Sequence, residues 1–410
     1  MVSQVECVVE CSKADAAVEM QGLYEKFVVP SYRRTLTLTR GEGSYVWDTS
    51  GKRYLDMGGG IAVNSLGHAH PAILSTLQKQ ASRLIHVSNL YYNEPQALLA
   101  KKLVELTGPG KVFFCNSGAE ANEALYKLAR RVGHDQGRYE VITTINSFHG
   151  RTLAGIAATG QEKVKKSFEP LMPGFIHVPY NDLAAAEKAI GPKTAAILVE
   201  GVQGEGGIIP ATPEYLLGLR ELTRKHGILL LMDSVQCGFF RSGYFQSYER
   251  ILENHPGGKD FLPDGISMAK ALGGGFPIGA VWIGQPYQDV FQPGSHGTTF
   301  GGTPLACAVA LEVISVIERE KLVDNIRRQG DRLIAGLKNL SGRENFVSVR
   351  GFGAIVGFQT KIDPLILTPQ LAGEGLLVIP SGNNSVRFLP PYNITAQQID
   401  EALAIVQKVI

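Results

Sequence analysis

One lysine is set among residues that would make it a nucleophile. Lys270 lies in DGISMAKALGGGFPIGA, residues 264–280, after a short apolar run and ahead of Gly273, Gly274, Gly275 and Phe276-Pro277. An amine among small apolar side chains is poorly solvated as a cation, so its pKa falls and it becomes available to attack an aldehyde. That is Schiff-base chemistry. A surface lysine beside a glycine turn would read the same way, so the assignment depends on what the rest of the chain supplies.

Two further stretches could serve such a lysine. In CNSGAEANEALYKLARR, residues 115–131, the small residues Ser117, Gly118 and Ala119 follow the strand-like KVFF and open an amphipathic helix. Their backbone amides can approach a phosphate where the helix dipole favours an anion, although Ser117 as a plain helix cap fits equally well. The chain has no GxGxxG and no glycine loop ending in Lys-Ser/Thr, which argues against dinucleotide and P-loop readings. In ILLLMDSVQCGFF, residues 228–240, Asp233 ends a strongly apolar run. A carboxylate there is costly unless it meets a cation, such as a protonated ring nitrogen that it would keep protonated as an electron sink. A helix-capping aspartate is the simpler alternative.

In their order along the chain these stretches resemble the class III aminotransferases, fold-type I enzymes that use pyridoxal 5′-phosphate. The resemblance runs from about residue 22 to 408 and is most specific from Asp233 through the arginine-glycine turn to MAKALGGGFPIGA. It implies that Lys270 forms the internal Schiff base and later shuttles a proton, and that Asp233 pairs with the pyridine nitrogen. It implies that Ser117, Gly118 and Ala119 cradle the phosphate, and that Thr299 in HGTTFGG reaches the phosphate of a neighbouring subunit, so that each site needs a homodimer. Phe148, in SFHGRT, matches an aromatic stacked on the cofactor ring, with His149 beside it in the cofactor-binding set. Val235 matches the residue packed on the other face, and Gln236 the one near the phenolic oxygen.

The resemblance also implies a substrate class. Arg151 matches an arginine that clamps a substrate α-carboxylate, a bidentate geometry lysine cannot supply. Arg387, in SVRFLPP, matches a second arginine, and Glu205, in VEGVQGEGG, a glutamate that pairs with it while an ω-amine reacts and releases it when glutamate is bound. Tyr32, in PSYRRT, matches an aromatic of the ornithine-type branch close to the substrate carboxylate. Transfer of the δ-amino group of N-acetylornithine to 2-oxoglutarate is therefore expected, within arginine biosynthesis. Ornithine, succinylornithine, 4-aminobutyrate and other ω-amines stay open as donors, as does an aminomutase or decarboxylase on the same scaffold. Two departures from the family pattern bear on the ring's surroundings: Ser234 stands where glutamate is usual, and GFFRSG where a second glycine and a threonine are common.

The elements that must position these residues are legible as runs. Apolar stretches at Val112 to Cys115, Val141 to Ile145, Phe175 to Val178, Ala195 to Val199, Ile228 to Met232 and Ala280 to Ile283 alternate with helical segments such as 119–132 and 213–226. Runs buried on both faces predict an α/β fold, a mainly parallel sheet between helices, with ligands at the strands' carboxyl ends. Residues 40–60 predict two strands around the turn Asp48 to Gly51, with Trp47, Tyr54 and Leu55 facing a core. Residues 4–26 read as a helix, 304 to about 338 as one long helical stretch, and 346–410 as short strands with helices near 364–373 and 395–409. This divides the chain into 1–60, contributing to a small domain, a large cofactor-binding domain 61–310, and a small α+β domain 311–410.

Composition excludes other classes. With 40 basic and 38 acidic residues the net charge is +2, which gives no electrostatic reason for a nucleic-acid partner. No apolar run reaches bilayer length, and the acidic start, with Glu6, Glu10 and Asp15, is unlike a signal peptide, so a cytoplasmic protein is expected. The five cysteines, Cys7, Cys11, Cys115, Cys237 and Cys307, form no CxxC pair, and His68 and His70 read as loop-to-helix packing. No metal site is expected.

Overall fold

All six apolar runs become strands of one seven-stranded sheet. The computed structural model describes residues 13–410. The strands are β1 (Gly110–Cys115), β2 (Glu140–Thr144), β3 (Phe175–Val178), β4 (Thr194–Glu200), β5 (Leu229–Asp233), β6 (Gly265–Met268) and β7 (Gly279–Gly284). Their order across the sheet is β1-β7-β6-β5-β4-β2-β3. Only β7 runs antiparallel to its neighbours. Strands β4, β5 and β7 are buried at every position, as expected of a sheet covered on both faces. Strand β6 is the short apolar run ahead of Lys270, outside the six longer runs, and it delivers the chain to that lysine. Residues 4–12 of the expected first helix lie outside the described residues, as do Cys7 and Cys11; the helix is seen over Lys13–Phe27.

Two cores flank this sheet and a third unit rests beside it. The helix Gly118–Gly133, here α1, packs on one face through Ala121, Ala124, Leu125 and Leu128. The helix α2 (Pro304–Arg319) belongs to the core on the other face along its length, from Ala306 to Ile317. The C-terminal strands Phe346–Phe352, Ile355–Thr360, Ser385–Phe388 and Ile379–Ser381 make an antiparallel sheet in that order. Its core takes in Leu55 and Met57, and Leu376–Leu377 pairs in parallel with the strand Arg53–Asp56. The N-terminal hairpin thus shares hydrogen bonds and apolar packing with the C-terminal unit.

Three expectations change. The stretch 304–338 is two helices, α2 and α3 (Leu322–Lys338), separated by Lys321 in the left-handed region at φ 52°. Apolar periodicity continues through both pieces, so it does not register a break made by one backbone conformation. The changeover between cores falls within α3, between Ile326 and Leu333, rather than at 311. Trp47 is half-buried beneath the Arg40 guanidinium, 3.9 Å from its ring, while the adjacent Val46 is buried and pairs in register with the buried Tyr54. Both faces of this hairpin are partly covered, Val46 and Tyr54 sharing one and Tyr45 and Leu55 the other, so burial does not single out the Trp47 side.

The loop after Asp56 contains a strained feature near the site. Gly59, Gly60, Ile61 and Ala62 all have positive φ, of 52°, 62°, 63° and 64°. For Ile61 and Ala62 this costs on the order of 1–2 kcal/mol each, so the turn persists only because its surroundings hold it. The Asp56 carboxylate does part of this, accepting from the backbone N–H of Gly58 and Gly59 at 2.9 and 2.8 Å. His68 Nε2 lies 2.8 Å from its other oxygen, and His70 caps the helix Pro71–Ala81, so both histidines have packing roles.

The exposed Lys321 allows a simple test. Lys321→Gly removes the left-handed penalty, and the free energy of unfolding should rise by roughly 0.5–1 kcal/mol in urea titration, whereas a loss would show that the Lys321 side chain contributes more than its backbone costs.

Candidate active site

The carboxyl ends of the central strands open into a cavity of about 400 Å³. Ser117, Gly118, Ala119, Phe148, His149, Arg151, Asp233, Val235, Gln236 and Lys270 all line it, although they come from four separate stretches of chain. Lys270 sits at the start of a 3-10 turn after β6, with φ 49°, a conformation held at the strand's exit. Burial lowers its amine below the ordinary lysine value; the nearby Arg387 charge acts in the same sense, and Glu205, Asp233 and Glu200 pull the other way. This is the electrostatic setting of an amine that can be neutral when it must attack.

Asp233 is buried at the end of β5 and fully engaged. Its Oδ2 accepts from Asn122 Nδ2 at 2.7 Å and lies 2.8 Å from His149 Nδ1, while Oδ1 accepts from the Val235 N–H at 3.0 Å. Burial by itself would raise this carboxyl, but the His149, Val235 and Asn122 hydrogen bonds outweigh it and hold the group below its usual range. Ser267, the register partner of Asp233 on β6, donates to Asn122 Oδ1 at 2.7 Å and so turns the Asn122 amide nitrogen toward Asp233. None of these contacts uses position 234. Ser234 is buried and its hydroxyl has no hydrogen-bond partner among the described residues, so the departure from the family pattern leaves the Asp233 cluster intact.

Sequence reasoning missed Glu200. It ends β4 as Asp233 ends β5, and the two are register partners in the parallel pair. The signal was present: AAILVE closes an apolar run on a carboxylate just as LLLMD does. Glu200 also lines the cavity, but among the described residues its carboxylate accepts only from the backbone N–H of Phe148 and Gly204, at 3.2 and 3.3 Å. Burial, then the Asp233 charge, raise its carboxyl well above the usual range. Adjacent carboxyls thus titrate in opposite directions, because Asp233 has strong donors and Glu200 does not.

The second charged cluster stands beside Gln236. Arg387, buried on the C-terminal sheet, is paired in a fork with Glu205, Nη1 to Oε1 at 2.7 Å and Nη2 to Oε2 at 3.1 Å. Nη1 also donates to Gln236 Oε1 at 2.8 Å, so the side chain expected near a phenolic oxygen is also tied to this arginine. Burial would raise Glu205, but the charge and hydrogen bonds of Arg387 hold it below its ordinary value. Arg151 is exposed at the mouth with its guanidinium 5.5 Å from the Phe148 ring centroid.

Two expected residues are elsewhere in this chain. Tyr32 is exposed and lines a groove with Met20 and Tyr24 of the helix Lys13–Phe27, because the whole segment 18–35 lies along the outside of the chain. Thr299 is exposed and does not line its own chain's cavity. Among the described residues no group of three or more His, Cys, Asp or Glu is arranged to hold a metal ion, and no helix is long and apolar enough to cross a membrane.

The family model for class-III aminotransferases matches residues 28–410. The chain belongs to the class-III aminotransferases. It is 46% identical over 398 residues to an acetylornithine aminotransferase of Myxococcus xanthus, covering 95% of this chain and 96% of that protein. It is 45% identical over 389 residues to a succinylornithine transaminase of Salmonella agona, with 93% of each covered. Among solved structures, an ornithine aminotransferase from Toxoplasma gondii ME49 superimposes with a TM-score of 0.91 at 30% identity, covering 100% of this chain and 98% of that one. An acetylornithine aminotransferase from Elizabethkingia anophelis gives 0.83 at 33%, over 98% and 99%.

Enzymes of this class depend on pyridoxal 5′-phosphate, and the cavity fits that group. Gly118 opens α1 so close to Val235 that a Cβ there would lie 2.6 Å from Val235 Cγ1, leaving a bare backbone at the helix N-terminus where a phosphate suits. The Ser117 side chain caps α1 by accepting from the Glu120 N–H at 3.2 Å, so helix capping and an anion cradle coexist. The ionised Asp233 suits a protonated ring nitrogen, and His149 Nε2, buried and unpartnered among the described residues, remains available on the same wall.

Glu200 carries a pH prediction. Its folded pKa is raised, so its contribution to stability is favourable below the unfolded value and becomes a cost as pH rises from there toward the folded one. Glu200→Gln keeps an acceptor for both N–H groups and removes that cost. The variant's Tm relative to the parent should therefore increase from about pH 5 to pH 8, and a flat difference would mean that Glu200 is not held protonated.

Proposed function

We propose that the enzyme transfers the δ-amino group of N-acetylornithine to 2-oxoglutarate, giving N-acetylglutamate 5-semialdehyde and glutamate. The observation that carries this is the closed Glu205–Arg387 pair beside the lysine. In that state the arginine is neutralised, so the pocket suits a donor whose reacting amine sits on a carbon without a carboxylate. An opened pair frees a buried guanidinium for the α-carboxylate of 2-oxoglutarate. Relatives at 43–46% identity bearing the acetylornithine name support the choice of donor.

When bound, the cofactor supplies an electron sink for cleavage at the amine-bearing carbon and carries the amino group between substrates. The chain's residues do the rest in this proposal. Lys270 Nζ would hold the cofactor and, once the donor's amine has displaced it, its freed and less basic amine would move the proton from the substrate carbon. Asp233, kept ionised, would hold the ring nitrogen protonated, and Ser117, Gly118 and Ala119 would bind the phosphate. Phe148 and Val235, both on the cavity wall, would hold the ring and so orient the donor. Arg151 orients the donor's carboxylate, and Tyr32 would join it once the N-terminal segment is fixed by an assembled dimer.

The dimer is part of the proposal. Thr299 is assigned to the partner's phosphate site, and it adjoins an exposed apolar surface formed by Leu90, Tyr91 and Phe300. Asn89 ties the two stretches together by donating to the carbonyls of Thr298 and Gly301 at 3.1 and 2.9 Å. A cytoplasmic enzyme is in keeping with the free buried thiols of Cys115, Cys237 and Cys307.

Purified enzyme assayed with 2-oxoglutarate against acetylornithine, ornithine, succinylornithine and 4-aminobutyrate should give its highest kcat/KM with acetylornithine, and a clear preference for any other donor sinks the substrate assignment. In the same assay Lys270→Ala should lose roughly 10²–10⁴-fold or more in kcat while still retaining cofactor. Thr299→Ala should weaken cofactor retention about tenfold in a dimer of unchanged mass, as expected for loss of one charge-assisted bond; unchanged retention removes Thr299 from the phosphate site.

A further inference from the structure

We infer that Arg241 is a positioning residue for this reaction: its guanidinium pins the left-handed turn at Gly59–Ala62 to the strand end that follows Arg387, and so fixes where Arg387 stands relative to Lys270. The inference rests on the role proposed above for Arg387.

Arg241 is completely buried. Nη1 donates to the carbonyls of Ala354 and Pro390, at 3.2 and 2.5 Å, and Nη2 to the carbonyl of Ala62 at 3.2 Å. The guanidinium lies over the Tyr392 ring, 4.6 Å from its centroid. Among the described residues all its bonds go to backbone carbonyls of distant segments, which makes it a three-way clamp rather than half of an ion pair.

Those segments lead to both ends of the site. Pro390 comes three residues after Arg387, and the intervening Leu389 N–H donates to the Met57 carbonyl at 2.6 Å. Ala62 closes the strained turn, and Val63, next to it, lines the cavity. Two residues on, Ser65 Oγ donates to the carbonyl of Ala271, the residue after Lys270, at 3.0 Å. The Ser65 carbonyl in turn accepts from the Tyr392 N–H at 2.7 Å. Residues 57–65 thus form a strut between the lysine turn and the arginine strand, and Arg241 locks the strut where it is least relaxed. A lysine at 241 would retain the charge but cannot bond three diverging carbonyls from one planar fork.

The test uses holoenzyme and follows the two half-reactions separately by cofactor absorbance. In Arg241→Lys the KM for 2-oxoglutarate should rise roughly tenfold, while the KM for the amino donor and the visible absorption of the lysine-bound cofactor change by less than about twofold. Arg387→Lys should raise the same KM, and adding Arg241→Lys to it should have little further effect, because one acts through the other. A lower Tm with both KM values unchanged, equal losses in both half-reactions, or additive effects in the double variant would each overturn the inference. Should Arg241→Lys not fold, Ser65→Ala loosens the strut at its other end and must raise the 2-oxoglutarate KM; an unchanged value overturns the inference as well. If Arg387→Lys alone leaves that KM unchanged, the proposed role of Arg387 falls and this inference with it.

Discussion

A carboxylate buried at the end of an apolar strand is the constraint on which the site depends. Asp233 has to remain charged where burial opposes charge, and hydrogen bonds to an ionised group, worth about 1.5–3 kcal/mol each, are what keep it so. Asn122, His149 and the Val235 amide supply them from three different parts of the sheet's surroundings. Much of the local architecture follows from that requirement. Helix α1 must present Asn122 on its buried face, β6 must end on Ser267 to orient Asn122, and the chain must turn sharply after Asp233 to offer the Val235 N–H.

The same sheet shows how environment divides like groups. Glu200 and Asp233 are neighbours in register at the ends of β4 and β5, yet one is pushed toward its neutral form and the other held ionised. Two neighbouring buried carboxyls are costly when both are charged, so the donors given to Asp233 decide which one carries the charge. Glu205, four residues beyond the Gly201 turn, finds a guanidinium instead and is lowered. Three carboxyls within one region therefore have three electrostatic settings, each traceable to its partners.

The C-terminal unit is joined to the cavity by charge and by backbone. Arg387 reaches Glu205 and Gln236 from its own sheet, while Arg241 reaches out of the large unit to carbonyls of Ala62, Ala354 and Pro390. Buried guanidiniums suit this work because a planar fork holds several acceptors at fixed angles. The strained turn at Ile61 and Ala62 lies where these ties converge, which gives its unfavourable backbone a structural cause.

Residue type and spacing alone marked six of the sheet's seven strands and singled out the lysine, the strand-end aspartate and the small residues opening α1 as candidates, which the family resemblance then gave roles. Each is a local pattern: an apolar run of strand length, a charge closing such a run, glycines where a backbone must approach closely. Spacing could not foresee that the short run ahead of Lys270 joins the same sheet, nor the break at Lys321, because a four-residue strand and a single left-handed residue leave little mark on periodicity. Nor could it link Asn122, His149 and Ser267 to Asp233, residues separated by up to 111 positions along the chain. The family resemblance named Glu205, Gln236 and Arg387, but their mutual bonds, and the clamp at Arg241, depend on how two cores pack. The sequence by itself determined which chemical groups are present and on which elements they sit. Only the tertiary structure decided which of them share a dielectric environment and a hydrogen bond, and therefore which are charged, because those energies depend on distances between segments that no local pattern encodes.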